Sequence, residues 1–251
     1  MTSYALQTRN LVKKFGGFIA TNDVTLNVEA GARHALIGPN GAGKTTLINL
    51  LTGFLEPTSG EVILNGDTVT HLAQHQRVKR GLARTFQINR LFADLTVLES
   101  VTMAVNERIG IGARFWRPVG AYAEAVDEAA SLLSTLRLLD LAHEKTRNLA
   151  YGKQRLIEIA LALAMKPGVL LLDEPAAGVP TSESRELFET IAALPRDVTI
   201  LLIEHDMDLV FRFADCISVL VSGALLTGGT PDEIANNPKV KEVYLGEAIS
   251  V

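Results

Sequence analysis

The sequence predicts an α/β fold with a mostly parallel core sheet, an antiparallel β subdomain near its beginning and a helical insertion in its middle. Three observations carry this expectation. Between residues 169 and 221, short and continuously apolar runs alternate with stretches of helical spacing, the form strands take when both faces of a parallel sheet are covered. From residue 88 to 148 the strand signal stops and helical periodicity replaces it. Earlier in the chain, His34-Ala35-Leu36-Ile37 runs into Gly38-Pro39-Asn40-Gly41-Ala42-Gly43-Lys44-Thr45-Thr46, a glycine-rich loop set between a strand and a helix.

In chain order, Leu6 to Val28 holds short apolar or alternating segments, with Val24, Leu26 and Val28 separated by polar residues, as in half-buried antiparallel strands. After the buried strand at His34 to Ile37, Thr46-Leu47-Ile48-Asn49-Leu50-Leu51 reads as a helix closed by Gly53. Pro57-Thr58-Ser59-Gly60 signals a turn into Glu61-Val62-Ile63-Leu64, which Asn65-Gly66 folds back as a hairpin arm. In the insertion, Thr96 to Val105 and Ala121 to Leu141 are expected to be helices, the second with Val126, Ala129, Ala130, Leu133, Leu136 and Leu139 on one stripe. Between them residues 109–118 contain glycines, arginines and the only tryptophan, Trp116. This segment is either a loop whose aromatics tuck against local helices or an exposed contact for a partner protein. A helix from Lys153 to about Met165 stops before Pro167. A strand at Val169 to Leu172, a helix at Glu183 to Leu194, a strand at Val198 to Ile203, another helix and a strand at Ile217 to Val221 follow.

Composition narrows the function classes. With 251 residues, 47% of them hydrophobic, the chain can bury a sizeable core, yet no apolar run reaches the roughly 18–20 residues of a membrane span. Polar residues among the first ten leave no apolar segment of a secretory signal, which points to the cytoplasm. Cys216 is the only cysteine, so a disulfide framework and a multi-cysteine metal site are excluded; a buried core thiol is expected. The net charge of −4 and the absence of a long Lys/Arg cluster weigh against a nucleic-acid partner.

The 38–46 loop fits a phosphate-binding pattern. Its glycines let backbone N–H groups turn inward, the following helix adds its dipole, Lys44 reaches β- and γ-phosphates and the Thr45 hydroxyl can ligate Mg²⁺. Asp173 and Glu174 close an apolar run, at the strand end where α/β sheets place ligands. One carboxylate can serve the Mg²⁺ shell while the other polarises an attacking water. His205 follows another apolar strand at the same end, within reach of a γ-phosphate, and Gln87 ends a short strand where its amide can ligate Mg²⁺ or position water; His34, His71, His75 and His143 are read as structural. Gly152 opens a helix with no acidic residue in its first turn, so Tyr151-Gly152-Lys153-Gln154 is expected to offer free N–H groups to an anion. A second anion-binding helix end beside a complete phosphate loop suggests a nucleotide shared between two copies.

In this order the motifs resemble those of ATP-binding cassette (ABC) ATPases, P-loop NTPases of ABC type, over nearly the whole chain. Gly38 to Thr46 looks like a Walker A loop, Gln87 like a Q-loop, Leu149 to Gln154 like an ABC signature, Val169 to Glu174 like a Walker B strand and His205 like a switch histidine. Within that family, Arg84-Thr85-Phe86-Gln87, Leu149-Ala150-Tyr151-Gly152, Glu174-Pro175-Ala176-Ala177-Gly178, Ile203-Glu204-His205-Asp206-Met207 and the ending from Gly229-Thr230-Pro231 through Asn237-Pro238 to Tyr244-Leu245-Gly246 resemble branched-chain amino acid importer ATPases. The resemblance implies one ABC domain over residues 1–251, with 1–87 and 149–251 as catalytic core and antiparallel subdomain and 88–148 as helical subdomain.

It implies ATP and Mg²⁺ as cofactors: Phe15 on the adenine, Gly38, Pro39, Asn40, Gly41, Ala42, Gly43, Lys44, Thr45 and Thr46 around the phosphates, and Ala150, Tyr151, Gly152 and Lys153 of a second subunit against the same nucleotide. Thr45, Gln87 and Asp173 would serve the metal, Asp173 mainly through water, with Glu174 as general base and His205 on the γ-phosphate and attacking water. Gln87 and Lys44 complete the catalytic set. The implied assembly is a homodimer or a heterodimer with a second ATP-binding subunit, two membrane permeases and, indirectly, a periplasmic solute-binding protein, at the cytoplasmic face of the cell membrane. The alternatives are an ABC system that exports or extracts lipid-like molecules, or a soluble ABC ATPase; one cassette without a heptad run argues against the last. Ala150 stands where the signature usually has Ser, Tyr151 where it has Gly, and Pro180 where an Asp or Asn is usual.

Overall fold

The computed structural model describes residues 3–85, 91–111 and 122–248, the last four by backbone alone. Gln87 and the segment around Trp116 lie outside the described residues. Six strands form the larger sheet, in the order β11 (Ala224–Gly229), β10 (Cys216–Val221), β4 (Arg33–Ile37), β9 (Thr199–Ile203), β8 (Val169–Asp173) and β7 (Leu82–Arg84). All neighbours are parallel except β10 and β11. The apolar runs follow from their surroundings: Ala35, Ile37, Leu170, Leu172, Ile200 and Leu202 enter one core cluster, while Leu36, Val169, Leu171, Leu201 and Ile203 enter another. Successive side chains point to opposite faces, and both faces are covered, so no polar alternation is left in the sequence.

The smaller sheet is antiparallel. Strand β1 (Tyr4–Phe15) pairs with β2 (Phe18–Val24), β3 (Asn27–Glu29) and β5 (Ser59–Leu64), and β5 pairs with β6 (Asp67–Thr68). The sequence suggests several short segments here, whereas β1 is one strand of twelve residues. Register shifts between Leu11 and Lys13 and between Arg9 and Val12 interrupt its alternation, which is why it reads as pieces. The Asn65-Gly66 turn joins β5 to β6 as expected, with both residues at positive φ.

Helix α1 (Lys44–Thr52) ends at Gly53 in the left-handed conformation. Behind it, α2 (Gln74–Lys79) supplies the buried Arg77, whose guanidinium donates to the carbonyls of Leu50 and Leu51 at 2.7 Å and of Thr70 at 2.6 Å, satisfying the C-terminal end of α1. Helix α3 (Val97–Arg108) is started by a capping box in which Thr96 Oγ1 accepts from Glu99 N–H and Glu99 Oε2 accepts from Thr96 N–H. Helix α4 (Ala123–Thr135) is shorter than the expected Ala121 to Leu141. Arg137, at φ 56°, turns the chain into a 3₁₀ segment at Leu139–Leu141, so Leu138 is buried and Leu139 is 47% exposed, off the stripe assigned to it.

Helix α5 (Tyr151–Leu163) starts two residues before the expected Lys153; α6 (Thr181–Ala192) and α7 (Met207–Phe213) follow β8 and β9. Strand β11, α8 (Pro231–Asn236) and α9 (Pro238–Ala248) were not evident from periodicity, two of them being only six residues long; the Thr230–Glu233 capping box with Pro231 in the first turn starts α8. Cys216 is only half-buried, at the first position of β10, rather than a core thiol.

His34 is buried as expected of a structural histidine, its Nε2 2.9 Å from Ser218 Oγ across β4 and β10, whereas His71, His75 and His143 are exposed. Burial lowers the His34 pKa from 6.5 to about 4. The folded value lies below the unfolded one, so the neutral ring stabilises the fold fully above pH 6.5 and the benefit is lost as pH falls towards 4, about 3 kcal/mol in all. His34→Gln should remove that share of the pH dependence, measured as the difference from the parent in urea unfolding between about pH 7 and 4.

Candidate phosphate-binding site

The parallel register brings the carboxyl ends of four strands to one edge. Ile203 of β9 pairs with Leu36 of β4 on one side and with Asp173 of β8 on the other, and Arg84 of β7 pairs with Leu171. Consequently the loop after β4, Asp173 and Glu174 at the end of β8, and His205 after β9 lie side by side.

Backbone packing fixes the loop. A Cβ on Gly38 would lie 2.1 Å from the Leu220 carbonyl oxygen, and one on Gly43, at φ 101°, would lie 2.6 Å from that of Ala20. Ala42 N–H donates to the Pro39 carbonyl at 3.2 Å, and the Ala42 carbonyl accepts from Gly223 N–H at 2.8 Å. Asn40 and Gly41 are exposed at the loop's tip, Pro39 and Thr46 half-buried, and Thr45 exposed in the first turn of α1. That turn holds no acidic residue, so its N–H groups face an anion with the helix dipole behind them. Lys44 lies across the loop, its ammonium donating to the carbonyls of Gly38 and, at 3.0 Å, Pro39.

Asp173 is buried, with Oδ2 2.7 Å from Arg84 Nη2, and Arg84 Nη1 donates to Asn49 Oδ1 at 2.9 Å. One guanidinium thus joins β7, β8 and α1. Glu174 adopts φ 47°, unusual for a residue with a side chain, and its N–H donates to the Ile203 carbonyl at 2.9 Å. The His205 side chain is 69% exposed. Glu204 before it is buried and accepts from Ala176 N–H at 3.2 Å and His205 N–H at 3.1 Å; burial raises its pKa, against the pull of these donors. Phe15 sits at the tip of the β1–β2 hairpin, opposite Phe18 and 47% exposed, with Lys13 Nζ 5.2 Å from its ring centroid.

Ala150, Tyr151, Gly152 and Lys153 form a second group, where α5 begins against α6. The expected free N–H at Gly152 is corrected by the structure: it donates to Glu183 Oε2 at 3.0 Å, and Lys153 Nζ lies 2.8 Å from Glu186 Oε1. Two carboxylates from α6 supply the negative charge that the first turn of α5 lacks. The Tyr151 ring lies under the Arg155 guanidinium at 5.4 Å and against Gly178, where a Cβ would come within 3.3 Å of it.

Arg84, Glu183 and Glu204 were missed as contributors. For Arg84 and Glu204 the available signal was a lone charge ending a buried strand; for Glu183, on a solvent-patterned helix, there was none. The oxygen donors at Thr45 and Asp173 suit Mg²⁺, and no cluster of three or more His, Cys, Asp or Glu is present among the described residues. Hard oxygen donors of this kind are ones Mg²⁺ takes together with phosphate oxygens. Beside the site, a groove of about 690 Å³ opens between β7 and α5, lined by Phe54, Arg84, Thr85, Leu161 and Met165 among others.

Residues 21–177 match the ABC transporter family, and residues 225–249 match the family described as branched-chain amino acid ATP-binding cassette transporter. The chain is 43% identical to the high-affinity branched-chain amino acid transport ATP-binding protein LivG of Escherichia coli over 258 aligned residues, covering 99% of this chain and 100% of that one. Among solved structures, it is similar to the ADP conformation of an ATP-binding cassette of an ABC transporter, with a TM-score of 0.86, 32% identity and coverage of 98% and 100%. It is also similar to a dimeric bacterial ABC transporter cassette, with a TM-score of 0.72, 25% identity and coverage of 90% and 98%.

Because the Ala20 carbonyl leaves no room beside Gly43, Gly43→Val should displace the loop. The expected result is loss of nucleotide binding by at least about 100-fold in calorimetric titration, equivalent to about 2.7 kcal/mol.

Proposed function

We propose that this chain, which belongs to the ABC transporter family of ATP-binding subunits, hydrolyses ATP to power an importer of branched-chain amino acids. The observation that carries this reading is the conjunction, at one sheet edge, of a glycine cradle closed by Lys44 with the carboxylates of Asp173 and Glu174. The substrate class rests on the match of residues 225–249, which are β11, α8 and α9, and on whole-length likeness to LivG.

Phe15 stacks on the adenine. The backbone of Gly38 to Thr46 wraps the phosphates, and Lys44 exchanges the carbonyls of Gly38 and Pro39 for phosphate oxygens. Thr45 and Gln87 directly, and Asp173 mainly through water, would hold Mg²⁺, which would supply positive charge against the phosphate oxygens. Glu174 takes the proton of the water that attacks the γ-phosphorus in line, as the bond to the ADP oxygen breaks, while His205 holds a γ-phosphate oxygen. Ala150, Tyr151, Gly152 and Lys153 of a second ATP-binding subunit close the site from the opposite side. Ala150 brings no hydroxyl, so that contact is made by backbone N–H.

Residues 1–87 and 149–251 act as the catalytic core and 88–148 as the helical subdomain. The groove between β7 and α5, whose lining includes Phe54, Leu161 and Met165, receives an apolar segment of a membrane permease beside Arg84, whose guanidinium touches Asp173. No described helix is long and apolar enough to cross a membrane; attachment at the cytoplasmic face therefore comes through the permeases, which a solute-binding protein loads.

Glu174→Gln should leave ATP bound, trap a dimer visible by size exclusion and lower kcat by at least about 100-fold. In vesicles carrying the chain with its permeases and binding protein, leucine, isoleucine and valine should stimulate ATP hydrolysis more than urea or aromatic acids. Turnover indifferent to every loaded solute overturns the importer reading.

A further inference from the structure

Glu204 joins two loops through one carboxylate. Its side chain is 1% exposed, Oε1 accepts from Ala176 N–H in the turn after β8, and Oε2 accepts from His205 N–H while lying 3.7 Å from His205 Nδ1. The Asp206 N–H also favours the charged form. A carboxylate is expensive to remove from water, and this one is compensated by backbone donors from both loops at once. Neither loop can shift without leaving the buried charge short of a donor. The turn it holds is tight and begins with the left-handed Glu174, with Ala177 N–H bonded to the Glu174 carbonyl at 3.0 Å and Val179 N–H to that of Ala176 at 3.0 Å. A direct backbone bond between these segments, Glu174 N–H to the Ile203 carbonyl, fixes the base of the turn, whereas Glu204 fixes its far side.

We infer that Glu204 is a positioning residue for ATP hydrolysis: by clasping the Ala176 and His205 N–H groups with the two oxygens of one carboxylate, it sets His205 relative to Glu174 and makes the imidazole follow movements of the 174–178 turn. The inference rests on the proposed roles of Glu174 and His205. It also provides a route from this turn to the hydrolysing centre that does not use position 180, where the chain carries Pro. Glu204 contacts no reacting atom and acts through His205.

The test is a double-mutant cycle in steady-state ATP hydrolysis. Glu204→Gln keeps the shape but points an amide NH₂ at one of the two N–H donors; kcat is expected to fall about 10- to 100-fold with KM for ATP within about twofold of the parent. In a His205→Ala background the same change should have no further effect, and the amide resonances of residues 176 and 205 should both move in the nucleotide-free NMR spectrum. Glu204→Asp, which retains the charge on a shorter arm, should give an intermediate kcat, and it takes the place of Glu204→Gln in the cycle if that variant does not fold. Unchanged kcat, a change confined to KM, or an equal loss in the His205→Ala background each overturns the inference. Lys44→Ala separates this from failure of the ATPase reading: ATP binding unaffected by that change refutes the site itself, whereas lost binding with an inert Glu204 refutes only the clasp.

Discussion

Between the first glycine of the phosphate loop and the Leu220 carbonyl there is no space for a side-chain carbon, and the same holds between Gly43 and the Ala20 carbonyl. The loop is therefore gripped from two directions, by β10 of the parallel sheet and by β2 of the antiparallel one. Preorganisation of this kind matters because N–H groups already aimed at an anion need no reorganisation when it binds. It also ties the antiparallel sheet to the loop, because β2 carries Ala20.

A second constraint is that charged groups at the strand ends are matched internally. Asp173 is held by Arg84, the first turn of α5 by Glu183 and Glu186, and Glu204 by backbone donors. Leaving buried Asp173 or Glu204 without its partners would destabilise by several kcal/mol, whereas the exposed Lys153–Glu186 pair adds little.

The groove beside Arg84 adjoins the same contacts. An apolar surface bounded by Phe54 and Met165 is poorly suited to water; of the two arginines in its lining, Arg77 caps α1 and Arg84 reaches inward to Asp173. Movement of whatever fills the groove is separated from the phosphate site by a single side chain.

By itself the sequence determined the strand, loop and helix around Gly38, the apolar strands β8, β9 and β10, the carboxylates closing β8, and His205 after β9, because each is a local pattern of burial or turn chemistry. It also determined the family, through the order of those patterns along the chain. Only the tertiary structure decided the single long β1, the break of α4 at Arg137, the occupant of the Gly152 N–H and the partners of Arg84 and Glu204. Those features depend on atoms far apart in sequence, Glu183 being 31 residues from Gly152 and Asp173 89 residues from Arg84, and local periodicity carries no information about which distant charge a buried group will meet.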